Sequence, residues 1–192
     1  MRIPTYRYDF YRYEGPSSRH WHVRMRKILT SPGCAFIYIY RHAQDANNVI
    51  SRVFWKALLH VTKIITGIQF IPELRIGRGL RILHFGGIVI NTDAVIGRNF
   101  NIAQGVLIGR IEKGEKRGAP IIGDNVYCGA NSIILGKIRI GNSVLIAPGA
   151  FVDFDVPDNS IVLGNPGKII PRDSSPTKDY IIYPVEDYET NS

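Results

Sequence analysis

A parallel β-helix preceded by a short helical segment is the mainly β fold class that this 192-residue sequence predicts. Three observations carry the prediction. Ile122, Cys128, Ile134, Ile140, Ile146 and Val152 follow one another at a six-residue spacing, and all are small or branched and apolar. The same beat runs through Ile76, Ile82 and Ile88, slips by two residues, and resumes at Ile96, Ile102 and Ile108. Gly77, Gly97, Gly123 and Gly141 each follow a repeated Ile, and Gly-Asp-Asn and Gly-Asn-Ser segments supply turn residues between them. A period of six matches neither an amphipathic helix nor a simple alternating strand, so it signals a repeat architecture. Each hexapeptide then forms one short strand and a turn, with the repeated side chain pointing into a narrow prism. An ordinary sandwich is the alternative, but its strands do not hold one spacing so strictly.

Taken in order, the chain divides at about residues 68 and 165. Residues 1–30 read as an aromatic, basic arm that ends near Ser31-Pro32-Gly33, a helix-breaking segment. One helix is predicted around Ala35 to Ala46 and a second from Ile50 to Ile65, separated by Asn47-Asn48 and closed by Gly67. The repeat domain occupies residues 69–165. Between Ile108 and Ile122 the beat is interrupted by a charged, glycine-rich insert around Arg110 to Pro120, which must leave the prism as an exposed loop. Arg110, Lys113, Lys116 and Arg117 in that loop suit phosphates, or plain solvation. Residues 166–192 hold several prolines and a local acidic excess, the composition of a loosely held tail.

Composition excludes several classes. Hydrophobic residues make up 45% of the chain, which is ordinary for a soluble domain. The stretch 49–71 is interrupted by Arg52, Lys56, His60 and Lys63 and does not reach membrane-spanning character. Residues 1–10 carry Arg2, Arg7 and Asp9 without a secretory apolar core, so a cytoplasmic location is expected, with the inner face of the membrane as a variant of it. Up to Lys63 there are 11 Lys and Arg against 3 Asp and Glu, whereas the remainder holds 13 of each, so the whole excess of +8 lies in the first third. No nucleic-acid-binding motif accompanies it, and no nucleic-acid partner is expected. Tyr6, Tyr8, Tyr11, Tyr13 and Trp21 interleave with Arg7, Arg12, Arg19 and Arg24, a pattern that suits docking on a sister subunit, a solvated face or an anionic membrane surface. Cys34 and Cys128 do not make a disulfide framework and read as reduced thiols.

Of five histidines, His84 alone lies in the repeat region, in Ile82-Leu-His-Phe-Gly-Gly. An imidazole on the edge of a prism beside two glycines, which let a substrate approach the backbone, suits a general base near neutral pH; a satisfied structural histidine is the plainer reading.

Ile76-Gly-Arg-Gly-Leu-Arg-Ile-Leu-His84-Phe-Gly-Gly, Gln104-Gly-Val-Leu-Ile-Gly109, Ile122-Gly-Asp-Asn-Val and Gly164-Asn-Pro-Gly167 together resemble the hexapeptide acyltransferases of the serine acetyltransferase type. The likeness extends over about residues 36–168 and is strongest to the short variants of capsular and colanic acid polysaccharide synthesis. It implies a left-handed β-helix homotrimer, acetyl-CoA as acyl donor in the groove between neighbouring prisms, no metal, and His84 as the base. Gln69 takes the position of the residue that orients the histidine. Contacts to the coenzyme are implied at Gly109, Arg110, Lys116, Arg117, Ala130, Asn131, Ala147, Gly164, Pro166 and Lys168. The galactoside and maltose branch places its catalytic histidine where this chain has Asn131, and a γ-type carbonic anhydrase needs more histidines than the repeat region holds.

Departures from the family pattern bear on the acceptor. Serine acetyltransferases carry aspartates where this chain has Gln69 and Leu83, and a histidine in the insert where it reads Arg117-Gly-Ala-Pro120. Pro148 falls on an alanine whose amide commonly contacts the coenzyme, and a proline has no N–H to offer. The reading drawn from these departures is O-acetylation of a sugar or glycan hydroxyl in surface-polysaccharide synthesis. A serine O-acetyltransferase and a noncatalytic hexapeptide-repeat assembly protein are the alternatives.

Overall fold

The computed structural model describes residues 3–190, and the hexapeptide beat does build a left-handed parallel β-helix with helices ahead of it. Fifteen strands, numbered along the chain, form three faces. The first face stacks β1 (Ile68–Gln69), β4 (Ile88–Ile90), β7 (Leu107–Gly109), β10 (Ile133–Leu135) and β13 (Phe151–Val152). The second stacks β2 (Arg75–Ile76), β5 (Val95–Ile96), β8 (Ile121–Ile122) and β11 (Arg139–Ile140). The third stacks β3 (Arg81–Ile82), β6 (Asn101–Ile102), β9 (Tyr127–Cys128), β12 (Leu145–Ile146) and β14 (Ser160–Leu163), to which β15 (Lys168–Pro171) adds antiparallel.

Register explains the beat. On the third face Ile82 pairs with Ile102, Ile102 with Cys128, Cys128 with Ile146 and Ile146 with Val162, and each of these side chains is buried inside the prism. Every such side chain removed from water contributes about 1.5–3 kcal/mol, which is why the repeat tolerates only compact apolar residues there. Both the two-residue slip and the long insert fall at one corner, between the first and second faces, where Asn91–Ala94 and residues 110–120 lie. The corner between the second and third faces is held by left-handed residues, with Asn99, Asn125, Ser143 and Asn159 all near φ +55°. Asn tolerates that conformation, and Asn99 Nδ2 donates to Asn125 Oδ1 at 2.9 Å, so the turn residues also form a side-chain ladder.

The two expected helices stand within a few residues of their expected bounds, and the described part of the arm before them is helical as well. Residues 1–30 contain α1 (Thr5–Glu14), a 3₁₀ turn (Gly15–Arg19) and α2 (Trp21–Thr30). Ser31-Pro32-Gly33 does end a helix, as expected, since α2 stops at Thr30 and Ser31 is extended; Pro32 then opens α3 (Pro32–Asp45), where a missing N–H costs nothing, and the Ser31 side chain accepts from Cys34 N at 3.4 Å. Helix α4 (Val49–Thr66) is capped by Asn48, which accepts from Ser51 N at 2.8 Å, and ends at Gly67 with φ +67°.

Much of the basic and aromatic interleaving is used inside the molecule. Asp9, Arg12 and Arg41 are buried. Asp9 accepts from Arg41 Nε at 2.7 Å and from the main-chain N–H groups of Gly79 and Leu80, both at 2.8 Å. Arg41 also donates to Ile76 O and Gly77 O, and Arg12 donates to Gly79 O, Asn101 Oδ1 and Ile182 O. These bonds fasten α1 and α3 to the corner between the second and third faces. The C-terminal residues are held rather than loose: Thr177 and Val185 are fully buried, and α5 (Val185–Thr190) seats Tyr188 against Tyr8 and Tyr11.

Candidate active site

His84 follows β3 at the corner between the third and first faces. Leu83 N donates to Ile102 O, Ala103 N to Cys128 O, Gly129 N to Ile146 O and Ala147 N to Val162 O, so successive coils place equivalent residues above one another there. His84, Gln104, Ala130, Pro148 and Gly164 therefore line one edge of the prism, with coils about 4.8 Å apart. Gly105 N donates to Gly86 O, Asn131 N to Gln104 O and Gly149 N to Ala130 O, continuing the same edge. The backbone favours glycine beside His84, where Gly86 and Gly87 have φ of +109° and +63°, and the space there is open, since a Cβ built on Gly86 would meet nothing within 4 Å. His84 and Phe85 are exposed on this open edge, and the imidazole makes no hydrogen bond to any described residue.

The structure divides the predicted contact residues into two groups. Ala130, Asn131, Ala147 and Gly164 share the edge with His84, and Pro166, in cis linkage to Asn165, continues it toward Lys168 at the start of β15. Gly109, Arg110, Lys116 and Arg117 lie at the next corner, across the first face. There the insert folds back on itself through reciprocal Ile111 and Gly118 main-chain bonds. Two of its cations are already engaged: Arg110 pairs with Asp93 and with Glu112 at 3.2 Å, and Lys116 pairs with Asp153 at 2.9 Å. Lys113 and Arg117 are exposed. Gln69 sits on β1 opposite Val89, pointing outward, beside a 300 Å³ hollow that it lines with His60, Lys63, Ile64 and Gly67. No hydrogen bond joins it to His84 within one chain.

Gln104 was legible only as part of a motif. In three dimensions it holds His84's place one coil on, and its Oε1 is buried without a hydrogen-bond partner among the described residues. The cysteines take no part: Cys128 lies inside the prism, where burial pushes its thiol far up, and burial pushes Cys34 up to about 11.

No protein-family model matches the chain. Serine acetyltransferase of Helicobacter pylori strain 26695 is 34% identical over 161 residues, which is 83% of this chain and 92% of that protein. The chain belongs to the serine acetyltransferase family. The Synechococcus elongatus serine acetyltransferase is 34% identical over 145 residues, 76% of this chain, and the alignment spans only 59% of that relative's length. Among solved structures, the Neisseria gonorrhoeae serine acetyltransferase in complex with serine is 31% identical with a TM-score of 0.66, covering 86% of this chain and 67% of that one. The Brucella abortus serine acetyltransferase gives a TM-score of 0.71 at 28% identity, covering 89% of this chain and 69% of its own. The relatives this chain matches are acetyltransferases by name. Membership also corrects the sequence reading: the relatives that match along most of their length are serine acetyltransferases, and neither the likeness to capsular and colanic acid variants nor a glycan acceptor stands.

Proposed function

We propose that the protein is a serine O-acetyltransferase that moves the acetyl group of acetyl-CoA to the side-chain hydroxyl of serine. The observation that carries this reading is the match along 92% of the Helicobacter pylori serine acetyltransferase. Solved relatives from Neisseria gonorrhoeae and soybean are complexes with serine, which supports the same acceptor.

In the proposed mechanism His84 removes the serine hydroxyl proton as the oxygen attacks the thioester carbonyl carbon. The tetrahedral oxyanion accepts hydrogen bonds from main-chain N–H groups at Phe85 to Gly87, which make none in the free chain. Collapse breaks the C–S bond, and the imidazolium returns the proton to the departing thiolate. Ala130, Asn131, Ala147, Gly164, Pro166 and Lys168 hold the coenzyme along the shared edge. Gly109, Arg110, Lys116 and Arg117 approach it from a neighbouring copy, because in one chain they lie across the first face from His84. Gln69 orients the imidazole once the substrates close the site, a hydrogen bond that free enzymes commonly leave unformed. Leu83 and Gln69 offer no carboxylate, so stabilisation of the imidazolium falls to the substrate and to dipoles.

A homotrimer is part of the same reading. The outer side of the first face carries Val89, Leu107, Ile133, Leu135 and Phe151, all only partly buried in the single chain, and a second copy against it completes a cleft beside His84. The test is release of CoA from acetyl-CoA with and without L-serine. Serine-dependent release and recovery of O-acetylserine are the expected result; release at a rate indifferent to serine overturns the reading.

A further inference from the structure

Helix α4 packs on α3 through one side, where Leu59, Thr62 and Thr66 are buried. On the other side Ile50, Val53, Phe54, Val61, Ile64 and Ile65 are exposed, Ile50 by 84% and Ile65 by 74%. At 100° per residue these six fall within one arc of about 120°. Single exposed apolar residues need no explanation, but a continuous stripe along an 18-residue helix marks an interaction surface. Arg52, Lys56 and Lys63 border the stripe on one side, and α4 contains no acidic residue. Lys56 pairs with Glu73 at 2.6 Å, whereas Arg52 and Lys63 have no ion-pair partner among the described residues. Helix α2 also packs on α3, also lacks acidic residues, and leaves Trp21, Met25 and Leu29 exposed at four-residue intervals. No helix of the described chain is long and apolar enough to cross a membrane.

We propose that α4 docks on an anionic lipid surface, its Ile50–Phe54–Val61–Ile64 stripe among the acyl chains and Arg52 and Lys63 at the headgroups. A helix with one wholly apolar side, a basic border and no acid is the composition that lies in a bilayer interface. Charge selects lipid over a second copy of the chain. A self-contact across this stripe gathers the cations of both copies with no carboxylate on the helix to offset them, whereas anionic headgroups supply the opposite charge where Arg52 and Lys63 stand. The stripe lies off the edge that carries His84, although its Lys63 and Ile64 end borders the hollow of Gln69, so vesicle binding and not activity is the readout; occupancy does not depend on which acceptor the protein acetylates.

Flotation of the full chain with vesicles of phosphatidylcholine, alone or with added phosphatidylglycerol, tests the proposal. Binding to the phosphatidylglycerol vesicles, weakened by salt, is expected. At about 1 kcal/mol for each cation near an anionic surface, Arg52→Glu with Lys63→Glu lowers that binding about thirtyfold or more. Phe54→Ser with Ile64→Ser, at positions already exposed and so tolerable to the fold, lowers it about tenfold or more. Failure of the unaltered protein to float with anionic vesicles overturns the proposal. So does equal binding by either double variant. A fall in assembly mass for Phe54→Ser with Ile64→Ser, with no vesicle binding by the parent, also overturns it and assigns the stripe to self-association.

Discussion

At the scale of residues, burial silences both thiols, Cys128 inside the prism and Cys34 on α3. Cys34 is buried against Ser31 and Tyr13, and burial, working against their hydrogen bonds, raises its pKa from 9.0 to about 11. A raised thiol pKa means that the folded chain keeps a proton which the unfolded chain gives up. The associated stability is therefore full below pH 9 and is lost as pH rises toward 11. The shift corresponds to about 2–3 kcal/mol. Equilibrium unfolding between pH 8 and 11 should show a shallower loss of stability in Cys34→Ala than in the parent, and identical slopes would refute this account of the thiol. Neither cysteine should react with a thiol reagent in the folded protein near neutral pH. Gln69 is the second residue with a separable signature. As an orienting group, its replacement by Ala should lower kcat about tenfold and displace the acid limb of the pH–rate profile, leaving the KM for acetyl-CoA little changed. A change in KM alone would make Gln69 a binding residue instead. His84 stood out as a candidate in the sequence because it stands alone in the repeat region between an inward Ile and two glycines, and its place on an open edge is where the structure puts it; its role as base is part of the proposal. The place of Gln104, one coil on from His84, was not legible, because which coil a residue stacks on depends on corner lengths that the six-residue beat does not report.

At the scale of elements, a buried ionic cluster helps tie the helices to the prism, beside the Tyr13 and Tyr40 hydrogen bonds to Ile82 and Leu74. Arg41 is fully buried, and although burial alone would lower its pKa, Asp9 outweighs that and holds it raised. Asp9 in turn satisfies two main-chain N–H groups of the corner at Gly79 and Leu80. Removing one member of a buried pair strands the other, so Asp9→Ala should cost about 3–5 kcal/mol in denaturant unfolding. A cost below about 1 kcal/mol would show that water reaches Arg41 and that the cluster is not what fastens α1 and α3. The strands were readable because each coil repeats one physical demand, a compact apolar side chain at the sixth place, and the structure honours it from Ile76 to Val152. The helices within residues 1–30 were not. In α1 the apolar residues do not define the buried side, since Asp9 and Arg12 are buried beside Phe10, and in α2 the regular Trp21, Met25 and Leu29 stripe faces outward instead of into a core. The tail after Pro166 was misjudged for a related reason: its docking rests on Thr177, Tyr180 and Val185 meeting distant coils, contacts with no local sequence pattern.

At the scale of the whole molecule, a single copy leaves His84 on an open edge and leaves Arg117 a face away from it. The proposed assembly closes that distance. The protein should behave as a trimer in light scattering, and Leu107→Glu with Phe151→Glu, on the outer side of the first face, should yield monomers that have lost transfer; a monomeric parent that is fully active would contradict a shared site. The family was within reach of the sequence, since the His84 segment, the insert and the Gly164-Asn-Pro-Gly167 turn point to it. The acceptor was not: Gln69 and Leu83 read as evidence against serine because an absent carboxylate is visible in a sequence, whereas the likeness that supports serine is spread over most of the chain. The most direct measurement is the rate of acetyl transfer from acetyl-CoA to L-serine by the parent and by His84→Ala at matched assembly mass. A fall of about 10²–10⁴ in kcat for the variant, with the trimer intact, is the predicted result. Full transfer by His84→Ala would contradict the account at its centre.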